Sequence, residues 1–297
     1  MSDGDSPFVS ILTHNNNIIR GNNMSENILE EIAQHSKERV AALSEETPLK
    51  IVKLECGRLK RVKVDAALED EIPDFKGRFY EAIAKPGLSL IAELKKASPS
   101  KGVLSKDFSY LSKGVAYEVA GADCISCVTE PKWFLGADEM VSRIKREVEI
   151  PILRKDFIVD EYQLYQSGIL GADAVLLIVS ILDKETLKRF IDICKVIKLD
   201  AVVECHDEDE IKTALEAGAS IIGVNNRNLK DFSVDKSHAA DLRKCVPEDV
   251  LFIAESGFET AADAKDAVEA GADAILVGEV LVKKDNFMDL IRDMKNV

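Results

Sequence analysis

Between Leu88 and Val277 the chain alternates two patterns: short runs that are apolar almost throughout, and longer stretches whose apolar residues recur every three or four positions. The short runs are Leu88–Lys95, Asp123–Thr129, Ile150–Asp156, Asp173–Val179, Ala201–Glu204, Ile221–Asn225, Val250–Glu255 and Asp273–Val277. A strand apolar on both faces suits a parallel sheet covered on both sides, whereas a period near 3.6 marks a helix with one buried face. Four of the helical stretches stop at Gly121-Ala122-Asp123, Gly171-Ala172-Asp173, Gly218-Ala219-Ser220 and Gly271-Ala272-Asp273. Glycine there takes the left-handed cap before the chain turns into the next strand. Eight βα units in about 210 residues predict an α/β chain folded as a (β/α)8 TIM barrel. An open doubly wound sheet would carry a G-x-G-x-x-G loop after its first strand, and none is present.

Upstream of the barrel, ILEEIAQHSKERVAAL places Ile28, Ile32, His35, Val40 and Leu43 near one helical face, so a helix starts at about Asn27. A polar helix or loop region runs on to Pro73, and Phe75 to Ala84 reads as a short helix ending at Pro86-Gly87. The first two dozen residues, with five asparagines and no sustained period, read as a disordered extension or a start-site artefact. The expected organisation is therefore an extension over 1–26 and one barrel domain over 27–297, with extra helices over 27–84.

Composition narrows the function classes. The net charge of −14 leaves no block of Lys and Arg for a phosphate backbone, which argues against a nucleic-acid surface. No apolar run of about 18 residues exists to span a bilayer, and MSDGDSPFVS lacks the basic start of a secretory signal. A cytoplasmic protein with no membrane partner is the expectation. Cys124 and Cys127 form a C-x-x-C pair, but inside a strand their side chains point to opposite faces. No second pair follows at zinc spacing, and His14, His35, His206 and His238 show no metal spacing either. Reduced structural thiols and no metal are expected.

Barrel active sites lie at the C-terminal strand ends, and here those ends are polar. Glu93 and Lys95 share a face at the end of the first strand, as do Leu153, Lys155 and Phe157 on the third. The fifth ends at Glu204, the sixth carries Asn225 and Arg227 on one face, and the seventh ends in Glu255, Ser256 and Gly257. A single charge at a strand end is most often a solvated rim group, but a ring of them converges on one pocket. Opposite charges within about 4–6 Å stabilise each other's ionised forms. Ser256-Gly257 and Gly278 follow the two strands whose loops commonly hold a phosphate, and Ser98 could add a hydroxyl. Trp133 and Phe134 either cap the barrel or form an aromatic lid for an aromatic ligand.

In order along the chain, IAELKKASPSKG, TEPKWFLG, PILRKDFIVDEYQ, GADAVLLIVSIL, GVNNRNLKDFSVD, ESGF and GADAILVGEVL resemble indole-3-glycerol phosphate synthase, the (β/α)8-barrel family of tryptophan biosynthesis. The resemblance runs from about Asn27 to the C-terminus. It implies a decarboxylating, ring-closing lyase acting on 1-(2-carboxyphenylamino)-1-deoxyribulose 5-phosphate, without cofactor, and a monomer is expected. Carried over by position, Lys155 would be the general acid and Glu204 its acid/base counterpart, with Glu93 and Lys95 as further catalytic groups. Asn225 would hydrogen-bond the reacting centre, Arg227 would assist charge placement, and Glu255 would contact the sugar hydroxyls. Ser98, Ser256, Gly257, Gly278 and the amide of Glu279 resemble a phosphate cradle, and Phe134, Phe157 and Leu176 an apolar pocket for the anthranilate ring. Position 279 is glutamate where some relatives have serine, and the helix from Ile28 fits an N-terminal segment packed over the barrel mouth. The acid role suits a lysine whose pKa is lowered by burial and cationic neighbours. Two other readings compete: a phosphoribosyl isomerase, which would more often use Cys/Asp or Asp/Asp pairs, and a catalytically silent barrel, which predicts gaps among the charged strand ends.

Overall fold

The structure, a computed structural model, describes residues 28–228 and 232–297, so the reading of residues 1–26 falls outside it. Eight parallel strands close on themselves: β1 Ser89–Leu94, β2 Cys124–Val128, β3 Ile152–Lys155, β4 Ala174–Ile178, β5 Asp200–Cys205, β6 Ile221–Asn225, β7 Leu251–Glu255 and β8 Ala274–Val277. Each occupies an expected run with its ends moved by at most two residues; β3, for example, starts after Pro151, which has no N–H to give the ladder. A two-stranded hairpin, Ala97–Ser98 with Gly102–Val103, forms within the Ser-Pro-Ser-Lys-Gly turn after β1.

The period of two sorts the strand residues into two cores. Ile91, Cys124, Leu153, Leu176, Val202, Ile253 and Leu276 fill the barrel interior. Leu90, Leu94, Ile125, Cys127, Val175, Leu177, Val203 and Phe252 pack outward against the helices. Cys124 and Cys127 thus face opposite sides, as expected. The outer helices are α5 Tyr110–Ala120, α6 Glu139–Ile144, α7 Glu161–Leu170, α8 Lys184–Val196, α9 Glu208–Glu216, α10 His238–Arg243, α11 Ala261–Glu269, α12 Glu279–Lys283 and α13 Phe287–Lys295, after the upstream α1 to α4. The four expected cap glycines, Gly121, Gly171, Gly218 and Gly271, have φ of 101°, 84°, 91° and 84°.

Upstream of the barrel lie α1 Ile28–Glu46, α2 Leu49–Lys60, α3 Val64–Glu69 and α4 Arg78–Ile83. The stretch read as a helix or loop resolves into α2 and α3, and α2 lies along α7. Gly168 of α7 permits that approach, since a Cβ there would stand 2.7 Å from Cys56 Sγ. The upstream helices serve opposite ends of the barrel. α4 plugs the N-terminal end, with Phe79 and Ile83 fully buried in the interior core. Helix α1 alone braces the C-terminal end, reaching Glu130 after β2 and Asp156 after β3. Among the described residues no helix is long and apolar enough to cross a membrane.

Asp200, at the start of β5, holds the plug. Its carboxylate accepts the N–H groups of Gly77 (2.7 Å), Phe79 (3.0 Å) and Tyr80 (3.0 Å) at the start of α4. This cap begins the helix at Arg78, later than the expected Phe75. Asp200→Ala should leave those donors unpaired and lower the unfolding free energy by on the order of 2–3 kcal/mol. Urea denaturation checks this, and an unshifted midpoint would remove the anchoring role.

Candidate functional site

At the C-terminal strand ends the barrel opens into a cavity of about 450 Å³. All fifteen site residues named from the sequence line it: Glu93, Lys95, Ser98, Phe134, Lys155, Phe157, Leu176, Glu204, Asn225, Arg227, Glu255, Ser256, Gly257, Gly278 and Glu279. The period of two brings them there. Lys95 follows β1 two positions after Glu93, Lys155 ends β3 two after Leu153, and Glu204, Asn225 and Glu255 stand on the inward faces of β5, β6 and β7.

Charge is concentrated at the centre. The Lys155 ammonium donates to Glu204 Oε2 and Glu255 Oε2, both at 3.1 Å, and Lys95 pairs with Glu93. Burial disfavours the Lys155 cation, but the attraction of Glu204, Glu255 and Glu93 outweighs it and raises its pKa above the usual lysine value. The expectation of a lysine lowered by cationic neighbours is therefore corrected. The groups around it are carboxylates, and it stands in its acid form. Burial pushes the Glu255 carboxyl up to about 7, with Lys155 opposing and Glu204 and Glu93 adding to the rise. Its second oxygen, Oε1, is buried without a hydrogen-bond partner.

Two glycines make room for these carboxylates. A Cβ at Gly223 of β6 would sit 2.5 Å from Glu255 Oε1, and one at Gly278 would collide with the Glu93 carboxylate. Gly278 thus spaces the acid as well as starting the loop for which it was singled out.

The apolar side is formed by Phe134 and Phe157, whose ring centroids lie 6.0 Å apart, with Leu176 beside them. Phe134 is held by Glu130, a fully buried carboxylate accepting the N–H groups of Lys132, Trp133 and Phe134 at 2.7–3.0 Å. Trp133 turns away from the cavity and packs edge-on against His35 of α1, 5.4 Å between ring centroids. The aromatic pair therefore splits: Phe134 walls the site and Trp133 anchors its loop.

On the other side, Ser256 and Gly257 both have positive φ, 68° and 88°. Left-handed serine is uncommon, and Asn226, absent from the sequence reading, donates to Ser256 O at 3.1 Å while accepting the Ala239 N–H at 2.9 Å. The Asn225 carboxamide accepts the Arg227 N–H at 3.0 Å. Glu279 is no serine-like donor. Its carboxylate is bonded to Lys283 (2.6 Å) and faces Arg227 (3.6 Å) and Lys101 (3.7 Å). Burial opposes its ionisation, but Lys283, Lys101 and Arg227 hold its pKa below the usual carboxylate value. Lys101 and Lys236 line the cavity and were missed; for Lys101 a basic residue directly before a loop glycine was the available signal. His206, just past the end of β5, is exposed and does not line the cavity. Among the described residues no group of three or more His, Cys, Asp or Glu is arranged to hold a metal ion.

The family model for indole-3-glycerol phosphate synthase matches residues 29–294. The indole-3-glycerol phosphate synthase of Lachnoclostridium phytofermentans is 43% identical over 270 residues, covering 91% of this chain and 99% of the relative. That of Ruminiclostridium cellulolyticum is 44% identical over 256 residues, covering 86% and 94%. Among solved structures, KGPDC from Streptococcus mutans superposes with a TM-score of 0.56 at 16% identity, over 70% of this chain and 96% of that one. Thiamine phosphate pyrophosphorylase from Pyrococcus furiosus gives 0.52 at 14% identity, over 70% and 94%. The last two bear on fold alone.

The Glu255 carboxyl carries a pH dependence. Its folded value of about 7 lies above the ordinary 4.5, so the folded chain binds this proton more tightly than the unfolded one. The associated stability is fully present below about pH 4.5 and is lost as pH rises through about 7. Glu255→Gln should therefore exceed the wild type in unfolding free energy by on the order of 2 kcal/mol at pH 8, with the gap narrowing towards pH 5. Thermal unfolding across that range tests it; a variant less stable at pH 8 would contradict the sign.

Proposed function

The chain belongs to the indole-3-glycerol phosphate synthase family, and from that premise we propose how its own residues share the reaction. The enzyme converts 1-(2-carboxyphenylamino)-1-deoxyribulose 5-phosphate to indole-3-glycerol phosphate, CO2 and water, a carboxy-lyase step of tryptophan biosynthesis. The observation carrying the assignment is the Lys155 ammonium held 3.1 Å from both Glu204 and Glu255, in a cavity with an aromatic wall and a cationic, glycine-containing loop region.

The anthranilate ring lies against Phe134, Phe157 and Leu176, and the phosphate against Ser98, Ser256, Gly257, Gly278 and the Glu279 amide. Held at both ends, the substrate brings its carboxyl-bearing ring carbon to its own ketone carbon, which spares much of the entropy of the encounter. As the carbon–carbon bond forms, the ketone oxygen takes a proton from Lys155 Nζ, with Lys95 and Asn225 within the same cavity to stabilise the developing charge. Loss of CO2 returns its bonding pair to the ring and restores aromaticity. Dehydration then removes the hydroxyl from the former ketone carbon and a proton from the neighbouring methylene. Glu204 accepts that proton while Lys155 protonates the departing hydroxyl. Lys155 must be recharged between the two steps, and Glu255, 3.1 Å away and titrating near neutrality, is placed to return a proton. Arg227 sets charge at the phosphate side and Glu93 orients Lys95.

The purified protein should convert the carboxyphenylamino substrate with a rise in indole fluorescence, and Lys155→Ala should lower kcat about 10³-fold. No product from the wild type would overturn the assignment as a whole, whereas full turnover by the variant would overturn only the role of Lys155. Glu279→Ser removes a carboxylate from the phosphate region while keeping the amide. We expect its KM to fall about two- to ten-fold and inorganic phosphate to inhibit it more strongly than the wild type, since like charges disfavour each other. An unchanged KM and unchanged phosphate inhibition would exclude that carboxylate as a competitor.

A further inference from the structure

The strand end Arg154-Lys155-Asp156-Phe157 alternates its side chains. Lys155 and Phe157 line the cavity, which Asp156 borders between them, while Arg154 and Asp156 pair with each other at 3.2 Å, both with fully buried side chains. Arg154 is satisfied locally by Asp138 (2.6 Å), Ser167 (2.9 Å), the Gln163 carbonyl (3.1 Å) and Thr129 (3.3 Å). Asp156 gathers four donors: Thr129 Oγ1 at 2.9 Å, the Phe157 N–H at 2.9 Å, Arg154, and Arg39 of α1, whose Nη2 reaches both oxygens at 3.0 and 3.1 Å. The Arg39 bond crosses 117 positions of sequence and ties α1 to the residue between Lys155 and Phe157.

A buried carboxylate with several charge-assisted bonds has little freedom, and its backbone shares that restriction. The peptide after Asp156 is itself one of the bonded donors, so the direction in which Lys155 and Phe157 leave the strand is set by the same carboxylate. Removing Arg39 would leave Asp156 with one guanidinium in place of two and detach it from α1. The helix also reaches the neighbouring wall, where His35 packs on Trp133 and stands 3.6 Å from the Glu130 carboxylate that holds the Phe134 loop.

We propose that Arg39 is a positioning residue, acting through Asp156 to aim Lys155 at the ketone oxygen and Phe157 at the aromatic ring, and that α1 is thereby part of the reaction machinery. The inference rests on the role assigned to Lys155. Arg39 does not itself line the cavity and meets it only through Asp156, and the proposed phosphate region is built from the loops after β1, β7 and β8, with β7 lying across the barrel from β3 in the strand order.

The test compares Arg39→Ala, Arg39→Lys and Asp156→Asn with the wild type and with Lys155→Ala, using the carboxyphenylamino substrate and inorganic phosphate as a competitive probe. Arg39→Ala is expected to lose ten- to a hundred-fold in kcat, with the phosphate inhibition constant within two-fold of wild type. Arg39→Lys should recover part of the loss, and guanidinium ion at millimolar concentration should partly restore Arg39→Ala. The same ion should leave Asp156→Asn unrestored, because its binding carboxylate is gone. Wild-type kcat in Arg39→Ala overturns the proposal. So does a loss that neither lysine nor guanidinium repairs and that weakens phosphate inhibition in parallel, which marks general loosening of the barrel. Should Arg39→Ala not fold, Arg39→Lys and Asp156→Asn carry the same comparison. An inactive wild type, or an active Lys155→Ala, would instead count against the reaction assignment on which the inference rests.

Discussion

Desolvating an ammonium inside a barrel costs several kcal/mol, and the cost is offset only by close carboxylates. Lys155 has Glu204 and Glu255 at 3.1 Å and Glu93 near enough to act on it. The solution creates its own difficulty, because three buried carboxylates repel one another. Lys95 takes up Glu93, and Glu255 yields, its carboxyl rising to about 7. One proton is therefore held loosely beside Lys155 near neutral pH. Stability and reactivity trace to the same crowding: the group hardest to keep ionised is the one best placed to trade a proton.

The backbone had to make space for this cluster. Gly223 in β6 and Gly278 directly after β8 stand where a methyl group would overlap Glu255 or Glu93, so the space at the upper end of the barrel reflects missing side chains as much as strand geometry. The lower half is filled instead. Phe79 and Ile83 of α4 meet Ile91, Leu153, Val202 and Ile253 in an apolar plug. The N-terminal helices thus treat the two ends by different physics: the floor is closed by burial of apolar surface, and the rim is braced by charge through Arg39 and Asp156.

Much of this was legible in the chain because it depends on short-range periodicity. The strand runs follow from sheet burial, the Gly-Ala-Asp caps from backbone sterics, and the placement of Glu93, Lys95, Lys155, Glu204, Asn225 and Glu255 from an inward face repeating every two residues. What was illegible depends on partners far apart in sequence. Lys155 lies 49 residues from Glu204 and 100 from Glu255, so its local sequence held no sign of the shift. Trp133 and Phe134 are adjacent yet serve opposite sides of one loop, a division made by Glu130 and by a helix almost a hundred residues earlier. Helix α2 blurred its own period, carrying exposed Leu54 and Leu59 on a face the barrel does not use.

The substrate adds charge of the wrong sign to a site already rich in carboxylates. It brings a carboxylate and a phosphate towards Glu93, Glu204, Glu255 and Glu279, with Lys95, Lys101, Lys155, Arg227 and Lys236 as the cavity's cations. Each added anion within about 4–6 Å favours the protonated form of a neighbouring carboxyl. Glu255, its carboxyl already raised to about 7, responds to them near neutral pH. In the proposed reaction, protonating it removes one of the two short contacts on Lys155 and frees that ammonium to turn towards the ketone oxygen. Lys101 and Arg227 face Glu279, and in the proposed binding mode they would exchange that carboxylate for the phosphate. Binding and activation would then be one event: the anions that cost affinity are what release the proposed acid from its resting partners.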